Sequence, residues 1–246
     1  MWPPARTAAT TAADVQLRAV PFPTTRADAV PPDKTQHVAA TAEPAMSFGG
    51  TIRLSSMSNL MVDFIISLDG YGGAEGWPGF WGMEGPEYLA WLGEPAEAEH
   101  VTLMGATTYR LMHGFAVDMP DDPGMAGMSE MPKVVFSSTL KDPLEWANTE
   151  LIDGDAVEAV RDMKRRETRP LRTLGSVSLC RSLLAAGLVD RFRVIVFPVI
   201  TGATGNDRIF DDYPDVRLDL VQTRLFDGRL QLLEYAPTVL EGPPGA

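Results

Sequence analysis

The chain has 246 residues, 45% of them hydrophobic, which is enough apolar material to build a globular core. Its formal net charge of −12 repels nucleic acid and anionic membrane surfaces, so neither is an expected partner. One cysteine excludes an intrachain disulfide, and one cysteine with three scattered histidines argues against a metal site. No segment is apolar over the length that crosses a bilayer, and we expect a cytoplasmic protein.

The composition divides the chain into three parts. Residues 1–57 are rich in Ala, Thr and Pro and contain no long apolar run, which predicts a disordered extension. A start codon assigned too far upstream, with Met57 or Met61 as the true first residue, is the alternative. Residues 58–238 are predicted to form one domain, and residues 239–246 a flexible tail.

Strands and helices alternate along the predicted domain. The apolar segment 60–67 is predicted to be a buried strand, and residues 69–76 are too rich in glycine for regular structure. Trp77, Phe80 and Trp81 follow, so this part of the chain is either a lid over a pocket or a surface Ω-loop. The next predicted elements are helices over 86–92 and 95–100, a strand over 101–104, and a helix over 106–112.

The second half of the domain is predicted to begin with a long surface connection over 113–131. Asp153 is a suitable N-cap for a helix whose basic end, 164–166, complements the helix dipole. Cys180 lies on the apolar stripe of a later helix, so we expect a core side chain rather than a nucleophile. The other predicted elements are strands over 133–138, 171–174 and 192–199, a helix that Ser176 caps and Gly187 ends, and a hairpin that turns at Asp227-Gly228.

This order of elements predicts an α/β fold, in which helices flank a mostly parallel twisted sheet that ends in an antiparallel hairpin. Ligands of such sheets bind outside the carboxyl ends of the strands. Three junctions at strand ends carry residues suited to a phosphate, which the N–H groups of a helix N-terminus attract. They are Gly105 with Thr107 and Thr108, Ser137 with Ser138, and Gly175 with Ser176. Each junction is a weak signal alone, but the three together predict a nucleotide diphosphate site.

Several motifs resemble the dihydrofolate-reductase-like family, which includes dihydrofolate reductase and the reductase half of the bifunctional riboflavin-biosynthesis deaminase-reductase. They are ISLDG at 66–70, MGATTY at 104–109, KVVFSSTL at 133–140, and the block at 175–202. That block is the most specific of them and is most similar to the riboflavin-type branch. The matches run in order from Leu60 to Tyr235, over nearly the whole predicted domain.

The resemblance implies a dihydrofolate-reductase-like domain that binds NADPH, forms a homodimer and reduces a C=N or C=O carbon of a small substrate. Its implied cofactor contacts are Gly105, Thr107 and Thr108 at the phosphates, Gly175 and Ser176 at the diphosphate, and Ser137 and Ser138 at the adenine ribose and its phosphate. Gly70 and the loop that follows it would cover the nicotinamide.

The chain departs from the family pattern at three places. Ala106 stands where the family usually has an arginine, which weakens the expected contact with the ribose phosphate of NADPH. Ser176 replaces a common second glycine. Gly202 and Gly205 are spaced more widely than the usual Gly-x-Gly, which predicts a reshaped loop.

Hydride transfer also needs a proton, either from a carboxylic acid or from a bound water. Glu87 lies near the helical position where dihydrofolate reductase keeps its acid, and Asp69 is the other candidate. Each has a structural alternative, because the helix dipole favours a first-turn carboxylate such as Glu87, and Asp69 can fix a turn.

The sequence therefore predicts an NADPH-dependent reductase. Reduction of the ribosylamino-pyrimidine intermediate of riboflavin synthesis is the activity that the resemblance implies most directly. Because the chain shows no deaminase domain with its zinc-binding residues, a free-standing relative that acts on another substrate is the alternative within this class. A non-catalytic nucleotide-binding module on the same scaffold is the alternative from a different class.

Overall fold

The computed structural model describes residues 57–77 and 79–244. The predicted N-terminal extension, apart from Met57, lies outside these residues, as do the last two residues of the predicted tail. The last strand runs to Val239, one residue beyond the predicted end of the domain.

Ten strands and six α-helices make up the described part of the chain. The strands are β1 (Leu60–Ser67), β2 (Tyr71–Ala74), β3 (Val101–Gly105), β4 (Lys133–Phe136), β5 (Thr149–Ile152), β6 (Leu171–Thr173), β7 (Arg191–Phe197), β8 (Gly205–Arg208), β9 (Val216–Phe226) and β10 (Leu230–Val239). The helices are α1 (Pro86–Leu92), α2 (Pro95–Ala98), α3 (Ala106–Asp118), α4 (Pro123–Glu130), α5 (Ala156–Arg166) and α6 (Val177–Ala185).

Eight of the strands form one sheet in the order β5-β4-β3-β6-β1-β7-β10-β9. The pairings from β5 through β7 are parallel, and β10 pairs antiparallel with both β7 and β9. This arrangement confirms the predicted fold class, a mostly parallel sheet with helices and a closing hairpin. Asp227 and Gly228 both have positive φ at the hairpin turn, as the predicted two-residue connection requires.

The central strands are buried on both faces, which is why they appear in the sequence as nearly continuous apolar segments. In β1, Val62 and Phe64 belong to a core cluster that includes Val160 of α5 and Leu183 of α6. The alternate residue, Ile65, packs on the other face against a cluster that contains Tyr88, Trp91 and Phe197. The sheet therefore has α5 and α6 on one side and α1 on the other.

The prediction of a long surface connection over 113–131 is wrong. Helix α3 continues to Asp118, and α4 occupies most of the residues between Asp118 and 131. Pro123 at the first turn of α4 and the cap from Asp122, which accepts from Met125 N at 2.9 Å, are ordinary start signals. Methionines from both helices pack against a small core cluster around Trp146. A tertiary contact thus stabilises a segment that has little helical pattern of its own.

Three further local predictions need correction. The glycine-rich segment 69–76 contains β2, which pairs antiparallel with β8. The N-cap of α5 is Asp155 rather than Asp153, and its carboxylate accepts from Val157 N and Glu158 N. The edge strand β5 was not predicted, because its half-exposed TELI sequence carries no clear alternation.

A buried ionic cluster, which the sequence did not predict, holds α2 against the sheet. The Arg193 guanidinium donates to both carboxylate oxygens of Asp63 at 3.0 and 2.5 Å, and to both of Glu97 at 3.2 and 2.9 Å. It also lies 4.7 Å from the Trp91 ring centroid. Because every charge in this cluster has a partner, its burial is tolerated, and we assign it a structural role.

Candidate nucleotide site

The strand order places the predicted junctions side by side at one edge of the sheet. The strands β4, β3, β6 and β1 are neighbours and run in parallel, so their carboxyl ends meet there. Gly105, the last residue of β3, is opposite Phe136 of β4, which puts Ser137 one residue beyond it. The end of β6 leads directly to Gly175.

The first and third junctions are in direct contact. Ser176 Oγ accepts a hydrogen bond from Gly105 N at 2.8 Å and lies 2.8 Å from Thr108 Oγ1. Gly175 has a φ of +54°, and a Cβ added to it would lie 3.3 Å from Thr108 Oγ1. The start of α3 and the start of α6 therefore form one continuous cradle, in which a side chain at position 175 would be strained and would crowd Thr108.

The two helices of this cradle begin differently from α1, α4 and α5, although the short helix α2 also lacks a side-chain cap. Carboxylates of Asp227, Asp122 and Asp155 accept from the first backbone N–H groups of α1, α4 and α5, respectively. The starts of α3 and α6 have no such side-chain cap. The Ser176 hydroxyl, predicted to cap α6, instead turns towards β3 and α3. The positive ends of both helix dipoles thus meet without a resident carboxylate, which suits an anion.

The remaining predicted phosphate and ribose residues are Thr107, Ser137 and Ser138. Thr107 and Ser138 are exposed. The Ser137 hydroxyl accepts from Thr139 N and Leu140 N, each at 3.1 Å, so it holds the turn that follows β4. In the free protein the Ser137 hydroxyl therefore stabilises the loop that follows β4.

Asp69 connects the loop after β1 to the loop after β7. Its carboxylate accepts from Ser67 Oγ at 2.6 Å, Gly202 N at 2.9 Å and Thr201 N at 3.2 Å. The hydrogen bond from Ser67, followed by those from the two backbone amides, lowers the pKa of Asp69 to about 2. A carboxyl group with this pKa is ionised near neutral pH, so the expectation that Asp69 donates a proton does not fit its surroundings.

Gly70, expected near the nicotinamide, has a φ of +86°. A Cβ there would lie 3.1 Å from Cδ2 of Phe210, and the Gly70 carbonyl accepts from Ile209 N at 3.0 Å. The backbone conformation therefore favours glycine at this position, and the Phe210 ring would have to shift to admit a larger residue.

Glu87, the other expected proton donor, belongs to a reciprocal cap between α1 and the hairpin. Its exposed carboxylate accepts from Asp227 N at 2.6 Å, while the Asp227 carboxylate accepts from Glu87 N at 3.0 Å and from Tyr88 N at 3.1 Å. This geometry favours the structural alternative for Glu87, because its acceptor oxygen already serves the hairpin turn.

Cys180 is fully buried in α6, and burial raises the pKa of its thiol to about 12, so the sulfur is an inert core atom. Within residues 57–77 and 79–244, no three His, Cys, Asp or Glu side chains are grouped so that they could hold a metal ion. None of the helices in this part of the chain has the length and apolar character needed to cross a membrane.

Solved structures share this fold. A putative riboflavin biosynthesis protein from Shewanella sp. PV-4 is similar over 73% of this chain and 99% of its own, with 19% identity and a TM-score of 0.57. A diaminohydroxyphosphoribosylaminopyrimidine deaminase/5-amino-6-(5-phosphoribosylamino)uracil reductase from Thermotoga maritima is similar over 74% of this chain and 57% of its own, with 15% identity and a TM-score of 0.50. At these identities the likeness concerns the fold, which is the dihydrofolate-reductase-like one that the sequence motifs imply.

Comparison of the sequence with protein-family models shows the family of the chain. The model of the RibD C-terminal domain matches residues 58–232, and the chain belongs to this family of reductase-type domains. The uncharacterized protein YyaP of Bacillus subtilis is 29% identical over 103 residues, which are 42% of this chain and 53% of YyaP. The chain thus spans about half the length of this curated relative.

Sequence reasoning missed the contact between Ser176 and Gly105, because no local pattern links two residues that lie 71 positions apart in the chain.

Proposed function

We propose that the protein is a cytoplasmic, NADPH-dependent reductase that acts on a small heterocyclic or ribosylamino-pyrimidine substrate. The observation that carries this proposal is the shared cradle at the starts of α3 and α6. Two helix N-termini without carboxylate caps meet there at the ends of adjacent parallel strands, and Ser176 bridges them. A diphosphate is the group whose two charges such a pair of helix dipoles suits best.

The residues around the cradle have distinct roles in this proposal. Gly105, Thr107 and Thr108 hold the phosphates from the α3 side, and Gly175 and Ser176 hold them from the α6 side. Ser137 and Ser138, beside Gly105 at the end of β4, lie next to the adenine ribose. Gly70, beyond β6 at the end of β1, lies under the nicotinamide.

NADPH supplies the hydride when it is bound. The protein then orients the substrate carbon against the nicotinamide and excludes water from the site. Since Asp69 is ionised and Glu87 serves the hairpin, we propose that a bound water delivers the proton. Asp69 acts as a positioning residue, because its hydrogen bonds hold the loops after β1 and β7 together beside Gly70.

Titration of the purified chain with NADPH tests this proposal. We expect the nicotinamide emission to rise and the melting temperature to increase with cofactor concentration. Because Ala106 replaces the usual arginine, we expect NADH to bind only slightly more weakly than NADPH. Absence of any response at millimolar concentrations of either cofactor would contradict the proposal.

A non-catalytic nucleotide-binding module is the second candidate. This candidate is favoured by the surroundings of the two expected acids, since the pKa of Asp69 is lowered to about 2 and the Glu87 carboxylate accepts a hydrogen bond from Asp227 N. Cofactor binding without oxidation of NADPH across a panel of ribosylamino-pyrimidines, pterins and dihydrofolate would favour this candidate over the reductase.

We also propose that the protein is a homodimer that associates through the β9–β10 hairpin. Leu218, Leu220 and Leu225 are 40%, 59% and 60% exposed. They pair with Pro237, Tyr235 and Gln231, which alternate along one face of β10, so the three leucines share that face. An apolar row of this kind on an edge strand marks an association surface.

The charges on β9 favour a second copy of the chain as the partner. Antiparallel pairing of β9 with its copy, in the register that sets Leu218 opposite Leu225, also sets Asp219 opposite Arg224. A two-fold axis repeats both contacts, as expected for an isologous dimer.

A further inference from the structure

Arg110 is an exposed arginine in the second turn of α3. Most arginines and lysines of the described residues form ion pairs, as expected in a chain with a net charge of −12. Arg110 forms no ion pair with any residue that the structure describes. Its guanidinium therefore remains available to an anion, since none of these carboxylates neutralises it.

The helical spacing places Arg110 above Ala106. The two residues are four positions apart in α3, which runs from Ala106 to Asp118. Residues with this spacing share one face of a helix, with about 5–6 Å between their Cβ atoms. Because the side chains of a helix tilt towards its N-terminus, the long side chain of Arg110 covers the turn that Ala106 begins. A guanidinium from position 110 can thus reach the place where the family usually has an arginine at position 106.

Ala106 and Arg110 lie on the side of α3 that faces away from α6. Thr108 faces α6, since its Oγ1 is 2.8 Å from Ser176 Oγ. Ala106 and Arg110 are each two residues from Thr108, and they point about 160° away from it around the helix axis. Tyr109 turns towards the loop after β4, because it belongs to a core cluster against which Leu140 packs. Ala106 and Arg110 point within about 100° of Tyr109, so they lie on the β4 side of the helix.

The proposed function directs the adenosine half of the cofactor towards this same side of α3. Its diphosphate occupies the cradle between α3 and α6, and its nicotinamide lies at Gly70, beyond β6. In the strand order β4-β3-β6-β1, the adenosine half therefore extends the other way, over β3 towards the end of β4. Ser138 at the end of β4 and Thr107 on α3 are exposed there and offer hydroxyl groups, but neither supplies a positive charge.

We propose that Arg110 binds the 2′-phosphate of NADPH in place of an arginine at position 106, and that it thereby sets the preference of the protein for NADPH over NADH. This inference rests on the proposed function, because it names a specificity residue of the same site. A guanidinium suits a phosphate because its N–H groups pair with two phosphate oxygens at once. Since Arg110 is exposed, water and salt screen the interaction, which contributes about two- to fivefold in affinity, as other exposed ion pairs do.

Binding of both cofactors to Arg110→Gln tests this assignment. Titration of the full chain, followed by nicotinamide fluorescence, measures the affinities for NADPH and NADH separately. We expect the variant to bind NADPH about two- to fivefold more weakly than the wild type does, and to bind NADH equally well. The loss should shrink as the ionic strength rises.

Arg169→Gln is the matched control for the removal of a positive charge. Arg169 is also exposed, and it too lacks an ion pair within the part of the chain that the structure describes. It precedes β6 and therefore lies at the opposite edge of the sheet from the cradle. We expect this variant to keep the wild-type affinities for both cofactors.

A rescue variant returns the guanidinium to the start of the helix. Ala106→Arg in the Arg110→Gln background should restore the NADPH affinity to the wild-type value or above and leave the NADH affinity unchanged. The reason is that positions 106 and 110 reach the same phosphate, whereas a mere disturbance of α3 would not be repaired in this way. Failure of the rescue would contradict the assignment.

Three further results would overturn the role of Arg110 and leave the cofactor site standing. They are equal losses of NADPH and NADH affinity in Arg110→Gln, no loss of either, and a loss of the preference in Lys141→Gln instead. Lys141 is the exposed cation that follows the loop after β4, and it forms no ion pair with the described residues.

Adenosine 2′,5′-bisphosphate separates this inference from the proposed function. It differs from 5′-AMP only in its 2′-phosphate, so the difference between their affinities, measured by calorimetric titration, reports that phosphate alone. A wild-type protein that binds neither NADPH nor NADH would refute the reductase. In that protein, a preference for the bisphosphate that Arg110→Gln removes would still support the phosphate site, and the absence of such a preference would refute it as well.

Discussion

Gly175 is the residue at which the proposed cofactor site can be tested most directly. Its positive φ disfavours any side chain, and an added Cβ would lie 3.3 Å from Thr108 Oγ1, so a larger residue would be strained and would crowd the cradle. We therefore expect Gly175→Val to lower NADPH affinity about tenfold or more, as expected when hydrogen bonds to a charged phosphate are lost. Cofactor titration followed by nicotinamide fluorescence measures this change.

Gly187 provides a matched control for backbone strain. It has a φ of +64°, and an added Cβ would meet nothing within 4 Å. Both variants should lose stability, by about 1–3 kcal/mol for a non-glycine residue in the left-handed region, but Gly187→Val should keep its NADPH affinity. Equal affinities of the two variants would remove Gly175 from the site.

The ionised state of Asp69 predicts a pH-dependent contribution to stability. Its pKa is lowered from 3.8 to about 2, so its hydrogen bonds stabilise the folded protein above about pH 4 and are lost as the pH falls through about 2. Asp69→Asn should therefore lower the melting temperature at neutral pH, and the difference from the wild type should shrink towards pH 2. A difference that stays constant over this range would contradict the assignment.

At the scale of elements, α1 begins beside the turn of the β9–β10 hairpin. The cap on α1 comes from Asp227, and a Cβ on Gly85 would lie 2.2 Å from the Asp227 Cγ, so the helix start and the turn are fitted closely together. Asp227→Ala should reduce the free energy of unfolding by about 0.5–2 kcal/mol, the usual value of an N-cap. Urea denaturation measures this loss.

A cap on another helix provides the comparison for Asp227. Asp155→Ala removes the cap of α5 and should cost a similar amount. If the Asp227 cap also fixes the aromatic cluster of α1, only Asp227→Ala should change the near-ultraviolet circular dichroism of the folded protein. Unchanged spectra in both variants would limit Asp227 to a local capping role.

At the scale of the whole molecule, the exposed leucines of β9 predict a concentration-dependent dimer. Light scattering after size-exclusion chromatography should show a dimer for the wild type and a monomer for Leu220→Asp, because burying a carboxylate in an apolar interface is unfavourable. Val117→Asp, on α3 and also exposed at 62%, should remain dimeric. A monomeric wild-type protein would rule out the hairpin as a stable interface.

The sequence by itself determined the order and kind of most elements and the residues at their junctions. Local patterns suffice for these features: an apolar run marks a buried strand, and glycine or serine after it marks the turn. The helices within residues 113–131 were not predicted, because they depend on packing around Trp146 rather than on a periodic apolar pattern of their own.

The tertiary structure alone decided what the junction residues do. Ser176 was expected to cap its own helix but bonds to Gly105, 71 residues away, and Glu87 bonds to Asp227, 140 residues away. Asp69 and Glu87 were expected as proton donors, and in the structure the carboxylates of both accept hydrogen bonds from distant backbone amides. The physical reason is that hydrogen bonding and desolvation depend on neighbours in space, and a single sequence does not specify which distant backbone groups will surround a side chain.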